Sequence, residues 1–304
     1  MKILLTADWH IRGDRPRCRV DEDWIESQRQ DIAAVRKIAD VNSVDEVWIL
    51  GDLFHQPRCA TEAVVMVLDE LKKFRQDIAI LPGNHDMPFH DYGNIDRCSL
   101  GIVLKSFREL HSCAVEEIPG EDLGVCAFPF GLDPESPMCD VWATHRLVFR
   151  DDASRPMKDL GWTAQELLDS APLVREMIVT GDYHHGYIHE GPDGRKVVTP
   201  GCLNIQAADM AGYQPRVYIW DTCNHEVEEI MLNTCHSECV VTDYLEVEKM
   251  RDDRMEKVLQ VVGSSEGVSL SFMDNLEKVV QGEDFPKAAG AYKELVDRMN
   301  KDRQ

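Results

Sequence analysis

The chain has 304 residues, of which 43% are hydrophobic and 29% are charged, and its formal net charge is −22. This length and composition are typical of a globular protein with one large domain and a small one. No apolar run approaches the ~20 residues that span a bilayer, so we expect no membrane association. The negative charge argues against general adhesion to nucleic acid, although metal ions or local arginines can reverse the field at one site.

The first residues and the cysteines indicate the compartment. MKILLTADWHIRGD contains only a short apolar stretch, which predicts a buried strand and not a signal peptide. The ten cysteines follow no repeated spacing, and we expect reduced thiols in a cytoplasmic protein. Cys235 and Cys239 flank a histidine, but no second pair matches them, so the zinc signal is weak.

Up to about residue 110, short β-rich runs alternate with amphipathic stretches. We predict strands over residues 2–7, 46–50 and 77–81, and helices over residues 24–39 and 61–74. Such alternation is typical of βαβ units around a mainly parallel sheet, which places the protein in the α/β class.

The middle of the chain is richer in strands. We predict a hairpin of residues 114–118 and 123–128, and further strands over 140–144, 176–180, 196–200 and 216–221. Thr163 and Glu166 have the spacing of a capping box that opens a helix. A second sheet packed on the first is the simplest arrangement of these elements.

From about residue 240 the pattern is helical. We predict helices over 246–262, 271–281 and 286–300, separated by loops that contain Gly263 or Gly282. We therefore expect a main domain over residues 1–237 and a small helical region over residues 238–304.

Polar side chains follow five predicted strands at the point where each strand ends. They are Asp8 and His10, then Asp52 and His55, then Asn84, His85 and Asp86, then His145, and finally Asp182 and His184. Each motif alone is also typical of an ordinary turn. Because the carboxyl ends of strands form the ligand crevice of open α/β sheets, their recurrence at five ends indicates one shared site. Residues i and i+2 of an extended chain face the same way, so Asp8 and His10, and Asp182 and His184, can chelate as pairs.

This set resembles the calcineurin-like metallophosphoesterases: D-x-H, G-D, G-N-H-D, a solitary His and G-H-x-H. The resemblance implies a four-layered α/β/β/α sandwich and a centre of two divalent metal ions. One ion would be held by Asp8, His10, Asp52 and His184. The other would be held by Asp52, Asn84, His145 and Asp182, so that Asp52 bridges. Oxygen and imidazole ligands suit Mn²⁺ first, with Mg²⁺, Fe²⁺ and Zn²⁺ as alternatives.

Some residues depart from the family pattern or add to it. Asp182 stands where the family usually has histidine, and a carboxylate there should favour Mn²⁺ or Mg²⁺ over Zn²⁺. His185 and His189 have no counterpart in the motif. The resemblance places His85 beside the leaving oxygen as a general acid or a charge stabiliser, and we expect Asp86 to orient its ring.

The finer resemblance is to SbcD-type DNA repair nucleases, in GDLFH (51–55), LPGNHD (81–86) and TPGCLN (199–204). It implies a DNA exonuclease or endonuclease, with His55 placing the DNA strand, in the cytoplasm of a bacterium or a phage-infected host. The expected partners are DNA, an SbcC-type SMC-like ATPase and a second copy of the chain. The helical region would be a truncated cap or an ATPase-docking segment. A small-molecule phosphodiesterase, a protein phosphatase and a catalytically degenerate scaffold remain alternatives.

Four arginines directly follow the first metal motif: Arg12, Arg15, Arg17 and Arg19. A solvated loop balanced by neighbouring acidic residues is the ordinary interpretation of such a run. Its position beside Asp8 and His10 favours another, because arginine can bind phosphate bidentately. We therefore predict that these arginines bind DNA.

Overall fold

A computed structural model describes residues 1–110, 112–117, 124–132, 138–234 and 239–242. The chain divides into two units, Met1–Val241 and Thr242–Gln304, and nearly all of the described residues belong to the first. The predicted helices over 246–262, 271–281 and 286–300 and the segment 235–238 lie outside the described residues. None of the helices within the described ranges is both long and apolar enough to cross a membrane.

The described part contains fourteen strands and four α-helices. The strands are β1 (Lys2–Thr6), β2 (Glu46–Leu50), β3 (Asp77–Leu81), β4 (Arg108–Glu109), β5 (Ser112–Glu117), β6 (Gly124–Phe128), β7 (Cys139–His145), β8 (Val148–Phe149), β9 (Trp162–Thr163), β10 (Val174–Gly181), β11 (Tyr187–Glu190), β12 (Lys196–Thr199), β13 (Arg216–Asp221) and β14 (Glu226–Met231). The helices are α1 (Trp24–Val41), α2 (Thr61–Leu71), α3 (Ser99–Val103) and α4 (Ala164–Ser170).

Two six-stranded sheets form the centre of the fold. The first has the order β14-β13-β1-β2-β3-β4, and the second has the order β11-β12-β10-β7-β6-β5. In the first sheet β1, β2, β3 and β4 run parallel to one another. Strand β13 pairs antiparallel with β1, and β14 pairs antiparallel with β13. In the second sheet β6, β7, β10 and β12 run parallel, with antiparallel β5 and β11 at the two edges.

The alternation of side chains along each strand produces the layers. In β1, Ile3 and Leu5 pack between the two sheets with Val141 and Val179 of the second sheet. Leu4 faces the other way and packs with Ile32 and the rest of the apolar face of α1 and α2. The outer face of the second sheet packs on α4. The layers thus form an α/β/β/α sandwich with three apolar interfaces, one between the two sheets and one between each sheet and its helices. Each aliphatic side chain buried in them contributes ~1.5–3 kcal/mol.

The predicted α/β fold is confirmed, and so are the strands and helices predicted within the described residues. The capping box is present as well, since the side chain of Thr163 accepts from the backbone of Glu166 and the reverse bond also forms. Five strands, β4, β8, β9, β11 and β14, were not predicted. Of these, β4, β8 and β9 have only two residues each, and β11 and β14 carry charged or exposed residues, which obscures the apolar pattern of a strand.

Candidate metal centre

The predicted site residues meet where the parallel strands of both sheets end. Three groups of side chains offer ligand atoms that all lie within 4.8 Å of one another: Asp8, His10 and His184; Asp8, Asp52 and His145; and His10, His55 and His85. Asp8, His10, Asp52 and His145 are almost fully buried. The groups share members, so they form one continuous cluster with contributions from both sheets.

Asp52 lies at the middle of this cluster. Its Oδ1 accepts a hydrogen bond of 2.8 Å from the backbone N–H of His85. Its Oδ2 lies 3.5 Å from Nε2 of His145 and 3.8 Å from Nε2 of His10, yet it is buried and has no hydrogen-bond partner. Since a buried carboxylate oxygen without a partner is costly, this atom fits a ligand position for a cation.

The imidazoles around Asp52 also fit a cation. Nδ1 of His145 lies 2.9 Å from the carbonyl oxygen of Leu50, so Nδ1 carries the proton and Nε2 faces the cluster. Nε2 then lies 3.0 Å from Oδ1 of Asn84. Two acceptor atoms at this distance repel each other unless a proton or a shared cation lies between them.

The electrostatics of the carboxylates point to positive charge at the same place. Burial raises the pKa of Asp8 well above its usual value, and although His145 opposes this, the charges of Asp52 and Asp182 add to it. Burial would lower the pKa of His145, but Asp52 and Asp8 outweigh burial and raise it. Burial also disfavours the charged form of Asp52, but His145 and His10 outweigh it and its pKa is lowered. This pattern of opposing charges fits a site for a cation.

Four of the predicted ligands have a left-handed backbone. The φ angles are 50° at Asp8, 46° at His10, 51° at Asp52 and 74° at Asp182. This conformation is uncommon outside glycine and costs of order 1–3 kcal/mol per residue when it is strained. The left-handed residues follow three strands directly. They turn the chain sharply at each of these points, so that the side chains face the cluster.

Two glycines allow the ligands to approach the backbone. A Cβ atom at Gly51 would overlap the ring of His145, and one at Gly83 would overlap the carboxylate and backbone of Asp52. The glycines of the G-D and G-N-H-D motifs are therefore required for space. Any larger residue there would displace a predicted ligand.

Asp182 and His184 follow β10. The backbone N–H of Asp182 lies 3.1 Å from both carboxylate oxygens of Asp8, which fixes Asp8 in place. Nε2 of His184 lies 3.0 Å from Nε2 of His10. The side chain of Asp182 is half-buried and its charge acts on Asp8, His145 and His184. Asp8, His10, Asp52, His145 and His184 thus meet in one cluster, Asn84 contacts it through His145, and Asp182 borders it through its backbone bond to Asp8.

His85 and His55 stack at one side of the cluster. Their ring centroids are 5.5 Å apart, and the ring of His85 is 4.9 Å from that of His10. Nδ1 of His85 lies 2.9 Å from the carbonyl oxygen of His55, and this contact orients the ring. Burial lowers the pKa of His55 to about 4, and the charge of Arg12 adds to the effect. His55 is therefore neutral near pH 7.

The expected role of Asp86 as the group that orients His85 is not what the structure shows. Its Oδ1 accepts from the N–H of Phe54 at 2.9 Å, and its Oδ2 accepts from Gly83 at 3.0 Å and Leu53 at 3.3 Å. Burial, with the charge of Asp52, raises its pKa to about 7. Asp86 joins the loops after β2 and β3, and the carbonyl of His55 takes the orienting role instead.

The four arginines do not share one environment. Arg12 is half-buried and paired with Asp14, with its Nε 3.1 Å from Oδ1, and its charge acts on His55. Arg15 and Arg17 are exposed. Arg19 was predicted to bind DNA, but it is buried, bonds both oxygens of Asp21 at 2.7 and 2.8 Å and stacks on Trp24. Its guanidinium supports the loop and does not face a ligand.

One group of supporting residues received no role from the sequence. The N–H groups of Cys202 and Leu203 donate to the carbonyls of His184 and Asp8 at 3.0 and 3.1 Å. Nδ2 of Asn204 donates to the carbonyl of Trp9 at 2.7 Å. The T-P-G-C-L-N motif was the sequence signal for this support. Its backbone N–H groups hold the two segments that carry Asp8 and His184 in place. His185 is exposed and His189 lies on β11, 3.3 Å from Gln165.

Residues 1–130 match the family described as calcineurin-like phosphoesterase. No curated protein matches the chain. Similar solved structures include an archaeal phosphodiesterase, with 18% identity, a TM-score of 0.42 and coverage of 76% of this chain and 100% of that one. The protein TT1561 of Thermus thermophilus has 11% identity, a TM-score of 0.47 and coverage of 76% and 99%. The phosphoesterase Yfce from E. coli has 14% identity, a TM-score of 0.37 and coverage of 77% and 100%.

The matched segment contains Asp8, His10, Asp52 and Asn84, and also His85. His145, Asp182 and His184 come from later strands, and the fold brings them to the same cluster. The family match thus covers the first part of the chain, and residues 1–130 are similar to the calcineurin-like phosphoesterases.

Proposed function

We propose that the protein is a metal-dependent phosphodiesterase that hydrolyses DNA. One observation carries the proposal: Asp and His side chains from five strand ends of two sheets form overlapping groups of possible ligands around the buried Asp52, whose Oδ2 has no hydrogen-bond partner. A structural role alone would not require two buried carboxylates, Asp8 and Asp52, in close contact with the imidazoles of His10, His145 and His184. The arrangement is that of ligands gathered around cations.

The residues present fit two divalent ions. Asp8, His10, Asp52 and His184 would hold one ion, and Asp52, Asn84, His145 and Asp182 would hold the other. Ions bound there would polarise the phosphoryl group and make water a stronger nucleophile at neutral pH. The mixture of oxygen and imidazole ligands favours Mn²⁺, with Mg²⁺, Fe²⁺ and Zn²⁺ as alternatives.

The chain's own contribution to the reaction is proton transfer and positioning. His85 lies beside His10 and outside both ligand sets. The carbonyl of His55 fixes its Nδ1, and its backbone N–H is bonded to Asp52. His85 is therefore held firmly at the edge of the cluster, where its ring can deliver a proton to the departing oxygen of the phosphodiester.

The choice of DNA rests on the SbcD-like motifs and on the surroundings of His85. His55 stacks on His85, Arg12 lies close enough to depress the pKa of His55, and Arg15 and Arg17 are exposed on the same loop. Positive charge next to the scissile site suits a polymer of phosphates. An SbcC-type ATPase and a second copy of the chain are the partners that we propose on the resemblance alone.

The test compares three substrates with Mn²⁺ present: linear duplex DNA, bis-p-nitrophenyl phosphate and a phosphoprotein. We expect hydrolysis of DNA and of the small diester, and loss of both activities after chelation. Hydrolysis of the small diester without DNA degradation would indicate a small-molecule phosphodiesterase. Activity on the phosphoprotein alone would indicate a phosphatase, and no activity with any bound metal would indicate a scaffold.

A further inference from the structure

Phe89 is the most exposed large hydrophobic side chain among the described residues, with 92% of its surface in contact with solvent. It lies four positions after His85, in the loop that follows β3. Single exposed apolar residues are common and need no explanation by themselves. The loop that carries Phe89, however, has two further properties that connect it to the site.

The backbone presents Phe89 in an unusual conformation. Phe89 has φ 59° and ψ 18°, and His90 has φ 54°. A left-handed phenylalanine is rare, although histidine adopts this conformation more readily, and it persists only where neighbouring contacts impose it. The phenyl ring of Phe89 is therefore held in solvent by a backbone conformation that is unfavourable for this residue.

The contacts that impose this conformation come from the metal centre. The N–H of His90 donates to the carbonyl of Met87 at 3.1 Å, and Met87 is buried. Nδ1 of His90 lies 2.8 Å from the carbonyl oxygen of Asn84, whose side chain contacts His145. The position of Phe89 is therefore fixed relative to Asn84 and His85.

A second aromatic residue connects the loop to the cluster. The ring of Phe130 is 6.1 Å from that of His90 and 6.4 Å from that of His145. The N–H of Phe130 donates to the carbonyl of Pro82 at 3.2 Å, which anchors it beside the end of β3. We call Phe89, His90 and Phe130 the aromatic rim.

The aromatic rim and the arginines adjoin different parts of the cluster. Within the rim, His90 contacts Asn84 and Phe130 contacts His145, whereas His55 lies next to His10 and within the electrostatic influence of Arg12. A phosphodiester bound at the centre would thus have an apolar, aromatic surface on the side of one proposed ion and positive charge on the side of the other. This is the asymmetry of a nucleotide, which has a flat base and a charged backbone.

We propose that the aromatic rim binds an unpaired nucleobase next to the scissile phosphodiester, with the base stacked on Phe89. This inference rests on the proposed function, because it names the form of nucleic acid that the same site accepts. Bases in single strands stack on exposed aromatic side chains, and such stacking depends little on sequence. A base in an intact duplex is already stacked, so the rim selects single strands, frayed ends or opened duplexes.

The test uses two single-stranded oligonucleotides. One carries normal bases on both sides of the cleaved bond, and the other carries abasic residues at those positions. The readout is the ratio of kcat/KM for the intact substrate to that for the abasic one. We expect Phe89→Ala to lower this ratio about 5- to 150-fold, the range that corresponds to ~1–3 kcal/mol per stacked base. Phe89→Trp should preserve the ratio because it keeps an aromatic ring.

Two controls separate the ring from the backbone and from surface hydrophobicity. Phe89→Asn removes the ring but suits the left-handed conformation, so it should lower the ratio as Phe89→Ala does. Ile102→Ala removes an exposed apolar side chain that is 55% exposed and lies on α3, and it should leave the ratio unchanged. A ratio that falls with Phe89→Ala but not with Phe89→Asn would overturn the stacking role.

A binding measurement complements the kinetics. With 2-aminopurine beside the cleaved bond and His85→Gln present to prevent turnover, binding should quench the fluorescence, and Phe89→Ala should abolish the quenching. An unchanged ratio together with unchanged quenching would overturn the inference and leave Phe89 as a contact for a protein partner. If the protein cleaves bis-p-nitrophenyl phosphate but neither oligonucleotide, the DNA proposal fails as well, and the two failures are thus distinguishable.

Discussion

The Nε2 atoms of His10 and His184 lie 3.0 Å apart, although the residues are 174 positions apart in sequence and follow strands of different sheets. Burial lowers the pKa of His10 well below its usual value and also lowers that of His184. Both rings are therefore neutral near pH 7, and each can direct a lone pair to the same point. Asp52 Oδ2 is 3.8 Å from Nε2 of His10, so a carboxylate faces this point as well. The contact fits two ligands of one cation.

Replacing His85 separates catalysis from metal binding. We expect His85→Ala to lower the turnover of bis-p-nitrophenyl phosphate by ~10²–10⁴-fold, because the ring supplies a proton to the leaving oxygen. The content of Mn²⁺, measured by plasma mass spectrometry, should remain that of the wild type, since His85 lies outside both ligand sets. Near-normal turnover by a folded, metal-loaded variant would remove His85 from the mechanism.

Asp182 is expected to set the metal preference. Asp182→His introduces a softer ligand and should shift the preference toward Zn²⁺ or Fe²⁺. Asp182→Asn is the matched control, because it keeps the shape and tolerates the φ of 74° while removing the charge. Competition between equal concentrations of Mn²⁺ and Zn²⁺, followed by metal analysis, measures the preference. If neither substitution changes preference or occupancy, Asp182 is not a ligand.

Asp86 is expected to stabilise the fold by joining two loops. Asp86→Ala leaves three buried backbone N–H groups, of Leu53, Phe54 and Gly83, without an acceptor. We expect the free energy of unfolding to fall by about 3 kcal/mol or more, measured by urea denaturation of the chelated protein. Asp96→Ala, which removes an exposed carboxylate paired with Lys105, should change it little. A stable Asp86→Ala variant would contradict the joining role.

Arg15 and Arg17 are the two arginines whose exposure suits them to DNA. We expect the double replacement by alanine to weaken duplex binding, with a loss of about 0.9 in the log–log salt slope for each phosphate contact removed. Hydrolysis of bis-p-nitrophenyl phosphate should not depend on them. Arg19→Ala should instead lower thermal stability, since Arg19 is buried against Asp21 and Trp24. A salt slope that the double replacement leaves unchanged would exclude the loop from DNA binding.

The cluster was predictable from the sequence because each predicted ligand ends or follows a strand that is mostly apolar near its carboxyl end. Asp8, Asp52 and His145 belong to strands that neighbour one another within a sheet or face one another between sheets, so strand order alone brings them together. The helices α1 and α2 were equally readable, because apolar residues recur along them at helical spacing. Local pattern and global position agree for these elements.

The remaining features depend on which way a side chain turns. Arg19 reaches Asp21 two positions away and not the solvent, and nothing in the spacing of the four arginines distinguishes it from Arg15. Asp86 bonds amides 32 and 33 positions away, a contact that only the tertiary structure creates. The left-handed backbone at Phe89 and His90 is likewise not visible in the sequence, because it accompanies the contacts of His90 with the carbonyls of Met87 and Asn84.

The most direct test of a two-metal centre is the number of Mn²⁺ ions that each chain retains after loading and desalting, measured by plasma mass spectrometry. We expect two ions for the wild type and loss of both for Asp52→Asn, because Asp52 is the proposed ligand that both sites share. His189→Ala, which changes a histidine on β11 outside the cluster, should retain two. A wild type that retains no Mn²⁺, or an Asp52→Asn variant that still retains two ions, would contradict the two-metal centre.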